Sequence, residues 1–294
     1  MRPILSLFTV IILSFICGAL FAVPVYYFLH AITIDISFHK IVSHVTNICG
    51  LLFIFLYLKF YGLLNRETTG YQYLRTGYLR EIAFGMGLGI LLILAMEIIL
   101  YWLGVNRLES DLDLTFKFLG YILLKGILSG LFVGLLEETM YRGALLGGLN
   151  KLIGALPAIL ISSIIYSAVH FIKFPALAAD SQVTWMTGFM LLSHAFFWFS
   201  NSTIFDSFLA LFAFGALLAL VRLNKGNIYQ CIGIHAGVVL TINFINKLTD
   251  YMPGNNFDYL VNKSDHLLGY LAFAWLMLVC IFYYYRQFEP QFKR

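Results

Sequence analysis

The chain has 294 residues, 61% of them apolar and 12% charged, with a mean hydropathy of +0.85; water-soluble domains sit near half apolar and a quarter charged, so the composition is that of a membrane protein. With 28 Phe and 18 Tyr in addition, it excludes a disordered chain, a collagen and a coiled coil. The net charge of +4 argues for no nucleic-acid partner until the charges are placed.

Crossing a bilayer takes about 20 apolar residues per helix, and in an open chain only helices satisfy their own backbone in hydrocarbon. The first apolar run, 4–29, follows Arg2 and is longer than a signal-peptide core, so it reads as a retained helix. Further runs at 43–64, 82–104, 115–141, 152–171, 203–222, 228–247 and 266–285 are each long enough to cross. The shorter stretch from Trp185 to Phe199, interrupted by Ser193 and His194, suits an interfacial or re-entrant helix better than a span. The prediction is an all-α, polytopic integral membrane protein with about eight transmembrane helices. It divides into helices one to three over 1–114, a core over 115–247, and a C-terminal loop and helix over 248–294. No repeat, linker or low-complexity tract separates these parts.

Cys17, Cys49, Cys231 and Cys280 all fall in apolar runs without metal-ligand spacing, so neither a disulfide frame nor a zinc knuckle is indicated. A cytoplasmic N-terminus puts twelve Lys and Arg residues inside, among them Arg66, Arg142, Lys151 and Arg222, against six outside. Both termini are therefore expected in the cytoplasm, with Glu109, Asp111 and Asp113 on the far side. The basic excess is a topology signal.

Charge within a span costs from about 3 to 10 kcal/mol or more, so each instance calls for a partner or a purpose. Glu97, Lys125, Glu137, Glu138, His170 and His235 qualify. Glu97 and Lys125 occupy neighbouring predicted helices and are expected to neutralise one another. Arg142 follows Glu138 by four residues, so a helix brings its guanidinium beside that carboxylate and leaves Glu137 to exchange a proton. Interfacial carboxylates solvated at the rim are the bland reading of the same pair. Gly126, Gly130 and Gly134 form a strip without side chains that lets another helix approach.

His170 and His235 each end or interrupt an apolar run, where a lone histidine is usually a packing residue. Residues 137 and 170 are equidistant from a turn near 153–154, for which Gly147, Gly148, Asn150, Lys151 and Gly154 supply the residues. In an antiparallel hairpin folded there, Glu137 and His170 come level, about 25 Å from the turn. His235 joins them only if the seventh run packs against this hairpin.

Three motifs in order resemble a known family. Glu137-Glu138-Thr139-Met140-Tyr141-Arg142 resembles the EExxxR motif of the CPBP membrane proteins, which include the CaaX prenyl proteases of the Ras-converting type, bacteriocin-processing and immunity proteins, and lysostaphin-resistance-like proteins. Tyr166 to His170 is similar to FxxxH with Tyr in place of Phe, and the block from Phe212 to His235-Ala236 resembles the one ending in the third motif. The likeness spans about 118–243. It implies a glutamate-type intramembrane endopeptidase in which Glu137 and His170 activate a water and His235 helps bind the oxyanion. Glu138 and Arg142 would position them. The family's oxyanion Asn is expected at 239, where this chain has Val239; Asn243 lies one turn further on.

The resemblance implies no cofactor. A zinc-dependent variant ranks lower, because the adjacent Glu pair lacks the HExxH geometry that offers two imidazoles from one helix face. A non-catalytic scaffold, an immunity protein or a proton-coupled transporter is the alternative from another class, since Glu and His relays also serve proton paths. Expected partners are the bilayer and a protein or peptide substrate, lipid-anchored or membrane-inserted, with no nucleic acid. In a bacterial cell the location would be the inner membrane.

Overall fold

A computed structural model describes residues 2–73, 77–109, 115–177, 182–196, 204–262 and 266–287. Asp111, Asp113 and the 197–199 end of the short stretch lie outside the described residues. All eight apolar runs contain helix: α1 (Arg2–Ala31), α2 (Phe38–Phe60), α4 (Tyr78–Trp102), α5 (Phe116–Glu138), α7 (Ala155–His170), α9 (Phe205–Lys225), α10 (Tyr229–Ile245) and α11 (Tyr270–Gln287). Single-turn α3 (Arg66–Thr69), short α6 (Leu146–Ile153) and eleven-residue α8 (Trp185–Ala195) complete the α-helices among the described residues.

Among the described residues, five helical runs are long and apolar enough to cross a membrane: Leu5–Ala31, Phe38–Phe60, Tyr78–Trp102, Phe116–Ile153 and Phe205–Lys225. The protein is thus a multi-pass, helical membrane protein, but the expected count of eight crossings is not reached by length and composition alone. Helices α7 and α10, at 16 and 17 residues, fall short of a full bilayer path.

The chain divides into two compact units, Met1–Leu64 with Ala168–Ile204, and Asn65–Ser167 with Phe205–Arg294. In the first unit α1 and α2 pack along one another and meet most closely at Gly18, where a Cβ would fall 2.0 Å from Thr46 Oγ1. Ala22, Val23, Ile41, Val42 and Leu191 form its core. Helix α8 opens with a capping box between Thr184 and Thr187 and rests on α1 through Gly188, where a Cβ would lie 2.1 Å from Ala19 O. Eleven residues are too few to cross, as the interrupted stretch suggested.

The second unit is built around α10, which is held between α4 and α5 by glycines. A Cβ on Gly85 or Gly89 of α4 would fall 2.3 Å from Gln230 O or 2.2 Å from Ile234 O, so α4 and α10 run parallel. The contact is reciprocal, because Gly233 and Gly237 of α10 press on the carbonyls of Ile82 and Met86. Helix α5 lies antiparallel to α10: Gly126 faces Leu240, Gly130 faces Ala236 and Gly134 faces Ile232. These relative directions agree with the alternation read from the basic residues. Because α4 and α10 run the same way, the segments after them reach one end of the unit and pair as short antiparallel strands, β1 (Asn106–Leu108) and β2 (Thr249–Tyr251), with Asn106 opposite Tyr251. This strand pair is a small departure from the all-α expectation.

Two further expectations are corrected. Glu97 is buried, but its partner is Asn106, whose Nδ2 donates to both carboxylate oxygens at 3.1 and 3.0 Å. Lys125 is exposed and stands 5.8 Å from the Tyr121 ring centroid, one turn back on its own helix. The fourth run does not end near 141. It continues as a π-helical segment, Thr139–Leu145, and then as α6, giving 38 helical residues before the turn. Gly147 and Gly148 are buried inside that helix, and the break comes at Gly154, whose φ of +85° favours glycine.

Candidate active site

Glu137 and Glu138 occupy the last turn of α5, immediately before the π segment. Single π turns within α-helices widen the backbone and recur at functional sites. Here the segment carries Arg142 round to Glu138, whose Oε1 accepts from Arg142 Nη1 at 3.1 Å. The expected i,i+4 pair is present, and both members are almost wholly buried, Arg142 at 2% exposure and Glu138 at 0%.

Glu138 has a second partner. The Gly130–Gly134 strip brings α10 against α5, and His235 Nδ1 lies 2.8 Å from the same Glu138 Oε1. Glu138 Oε2 is buried and makes no hydrogen bond among the described residues. With Nδ1 committed to a carboxylate, the other ring nitrogen becomes the working one. His235 Nε2 stands 3.9 Å from Glu137 Oε2, too far for a direct hydrogen bond, and Oε2 is itself buried.

The two carboxylates differ sharply in access. Glu138 is sealed, whereas the Glu137 side chain retains 27% of its exposure. Aromatic rings wall the sealed side. The Arg142 guanidinium lies 4.3 Å from the Tyr166 ring centroid, and the His235 ring makes edge contacts with Phe214 at 5.7 Å and Tyr166 at 6.5 Å. Tyr141 packs edge-on against Tyr166, and Arg142 Nη2 donates to Gly215 O at 3.4 Å. Helix α7 is tied to α9 by Ser167 Oγ donating to Phe208 O at 2.7 Å. A stacked, forked guanidinium in a dry cage is a task for Arg and not Lys.

The π segment rests on α3, which hydropathy could not detect. Asn65 caps this turn by accepting from Thr68 N, and Gly70 closes it in the left-handed conformation. Gly143 and Gly147 admit the carbonyls of Thr69 and Thr68, to which a Cβ would come within 2.9 and 2.0 Å. Arg222 of α9 donates from Nη2 to Glu67 O at 2.8 Å and Thr68 O at 3.0 Å. Tyr71 also hydrogen-bonds Thr139 at the start of the π segment. The sequence signal available was the Asn65-x-x-Thr68-x-Gly70 cap pattern.

The segment that carries this cluster matches one family. Residues 119–241 match the family described as type II CAAX prenyl endopeptidase Rce1-like. That stretch of the chain is similar to an Rce1-like domain. The domain runs from α5 to α10 and so contains Glu137, Glu138, Arg142, His170 and His235; Asn243 lies beyond it. Comparisons with curated proteins and with solved structures return no match.

Within the domain, Glu138, Arg142 and His235 are in contact and Glu137 borders them. His170 is half-buried at the end of α7 and belongs to the other compact unit. Val239 is half-buried on α10, and Asn243 is exposed one turn beyond it. Among the described residues no group of three or more His, Cys, Asp and Glu side chains is placed to hold a metal ion.

Proposed function

We propose that this protein is an intramembrane endopeptidase that hydrolyses a peptide bond with water held between Glu137 and His235, His170 sharing the activation of that water. The observation that carries the reading is the 2.8 Å bond between Glu138 and His235, which fixes the imidazole so that Nε2 faces Glu137 Oε2. The Rce1-like match over the same residues supports it.

The chemistry follows from these placements. Glu137, whose side chain is partly exposed while the Oε2 that faces His235 is buried, takes a proton as the water oxygen attacks the scissile carbonyl. As an imidazolium, with Nδ1–H held by Glu138, His235 donates from Nε2–H to the oxygen that gains negative charge, a role that needs a preorganised donor in a dry setting. Two carboxylates against one guanidinium leave a charge that one proton on the cluster balances. When the C–N bond breaks, the proton held by Glu137 passes to the leaving amine. Glu138 and Arg142 keep the imidazole in register and never touch the substrate. Tyr166 and His170 share a face of α7 one turn apart, which favours His170 as the second base.

Val239 supplies no side-chain donor. Asn243 is two turns from His235, about 12 Å along the helix, so in this scheme it contacts substrate lying along α10 and not the carbonyl at His235. The substrate is a protein or peptide, lipid-anchored or membrane-inserted. Both termini face the cytoplasm, and α7, α10 and α11 complete eight crossings.

The test compares peptide termini in membranes from cells carrying the wild type, Glu137→Gln or no copy. New termini that require Glu137 support the peptidase. A non-catalytic role for the same cluster is favoured by one residue, Val239. Termini identical in all three cell lines, with the protein folded and inserted, would establish that role instead.

A further inference from the structure

The hydrolytic scheme offers the developing oxyanion one side-chain donor, His235 Nε2–H. Donors fixed in place before the reaction are what make such a site effective, and each one counts heavily. One turn after His235, on the same face of α10, stands Val239, whose side chain donates nothing. A second side-chain donor has to come from another element.

Tyr141 has a hydroxyl to spare. The residue is 5% exposed, and a tyrosine so deeply buried ordinarily commits its O–H to an acceptor in the protein. This hydroxyl makes no hydrogen bond among the described residues, and its oxygen is not closed off as Glu138 Oε2 is. Tyr141 therefore keeps an uncommitted donor in reach of free space. A phenol is protonated at neutral pH, so it donates without first acquiring a proton.

The position of that donor follows from the helix. Tyr141 follows Glu137 by four residues, as Arg142 follows Glu138, so the two pairs lie side by side where α5 passes into the π segment. Arg142 turns to the sealed carboxylate, and Tyr141 accompanies the one that keeps partial exposure. Of the charged groups around Tyr141, Glu137 acts most strongly on its phenol, ahead of Arg142 and Glu138. The Tyr141 and His235 rings both stand edge-on to the Tyr166 ring, with centroids 5.2 and 6.5 Å from it.

We propose that the Tyr141 hydroxyl is a second oxyanion donor, hydrogen-bonding the scissile carbonyl oxygen together with His235 Nε2–H while Glu137 takes the proton of the attacking water. The phenol keeps its proton throughout. Its hydrogen bond strengthens as the carbonyl oxygen gains charge and relaxes when the C–N bond breaks and the carbonyl re-forms. The inference rests on the peptidase reading and assigns a further catalytic residue within it.

The test is Tyr141→Phe, which removes one oxygen that bonds nothing in the protein, so the variant should unfold in dodecyl sulfate at the wild-type midpoint. The rate at which Glu137-dependent peptide termini form is then followed in membranes holding equal amounts of the wild type, Tyr141→Phe or Glu137→Gln. Loss of one oxyanion donor should slow Tyr141→Phe by about 10²–10³-fold. A wild-type rate from Tyr141→Phe would overturn the assignment and leave the peptidase reading standing, as would a slower rate accompanied by a lowered unfolding midpoint, which marks a packing role. An absence of any termini that depend on Glu137 would overturn both.

Discussion

Replacing Arg142 by Met tests whether the Glu138 cluster is held together by charge. Arg142 makes one ion pair to Glu138 at 3.1 Å, lies 4.3 Å from the Tyr166 ring centroid, and reaches Gly215 O only at 3.4 Å. Breaking a buried ion pair on one side costs about 3–5 kcal/mol, because the remaining charge is stranded. The stacked guanidinium adds about 0.5–2 kcal/mol. Arg142→Met should therefore lose at least about 3 kcal/mol, and Glu138→Gln about as much by stranding the guanidinium. The double variant has no buried charge at the pair, and its loss should fall short of the sum of the two single losses by at least about 2 kcal/mol. The assay is equilibrium unfolding of the purified protein in mixed micelles, titrated with dodecyl sulfate and followed by tryptophan emission. Single losses that add within about 0.5 kcal/mol would refute the coupling.

Three further outcomes follow from particular contacts. Gly130→Val would drive a side chain into Ala236 O, where even a Cβ falls at 2.6 Å; the overpacking should cost about 1–3 kcal/mol in the same assay. Gly120→Ala, on the same helix with open space around it, should be neutral or slightly stabilising. Asn106→Ala should cost about 1–3 kcal/mol by leaving the Glu97 carboxylate buried without its amide. Lys125→Ala should stay within about 0.5 kcal/mol, and a reversed ranking of these two would restore the Glu97–Lys125 pairing. On the surface, a hydrogen bond and the charge of Lys151 hold the Glu67 carboxyl below its ordinary range. Its small stabilisation is present above that range and fades as pH falls through the depressed value. Lys151→Met should raise the Glu67 titration midpoint, read by carboxyl carbon NMR, and an unmoved midpoint would deny the pair.

The helices were legible because each crossing must carry its own run of apolar residues, and the Glu138–Arg142 pair because a helix fixes what lies four residues away. Gly126, Gly130 and Gly134 announced a close neighbour, which the structure identifies as α10. They could not announce that the neighbour's rotation would turn His235 Nδ1 onto Glu138, since spacing along one chain says nothing of the angle at which another helix presents its residues. The same gap explains the mispairing of Glu97. Sequence proximity of helices favoured Lys125, while the parallel packing of α4 and α10 gathers Asn106 and β2 at one end, and Lys125 turns outward. Single-turn α3 is too short for any periodicity, so its support of the π segment emerges only from contacts at Gly143 and Gly147.

High-resolution experimental density for the protein in lipid, at the position between Glu137 Oε2 and His235 Nε2, tests the central claim most directly. The account predicts one ordered water hydrogen-bonded to both atoms, with a ring nitrogen of His170 within about 4 Å of it. Density with His170 turned into the acyl chains, or with Glu137 and His235 drawn apart and no shared water, would contradict it.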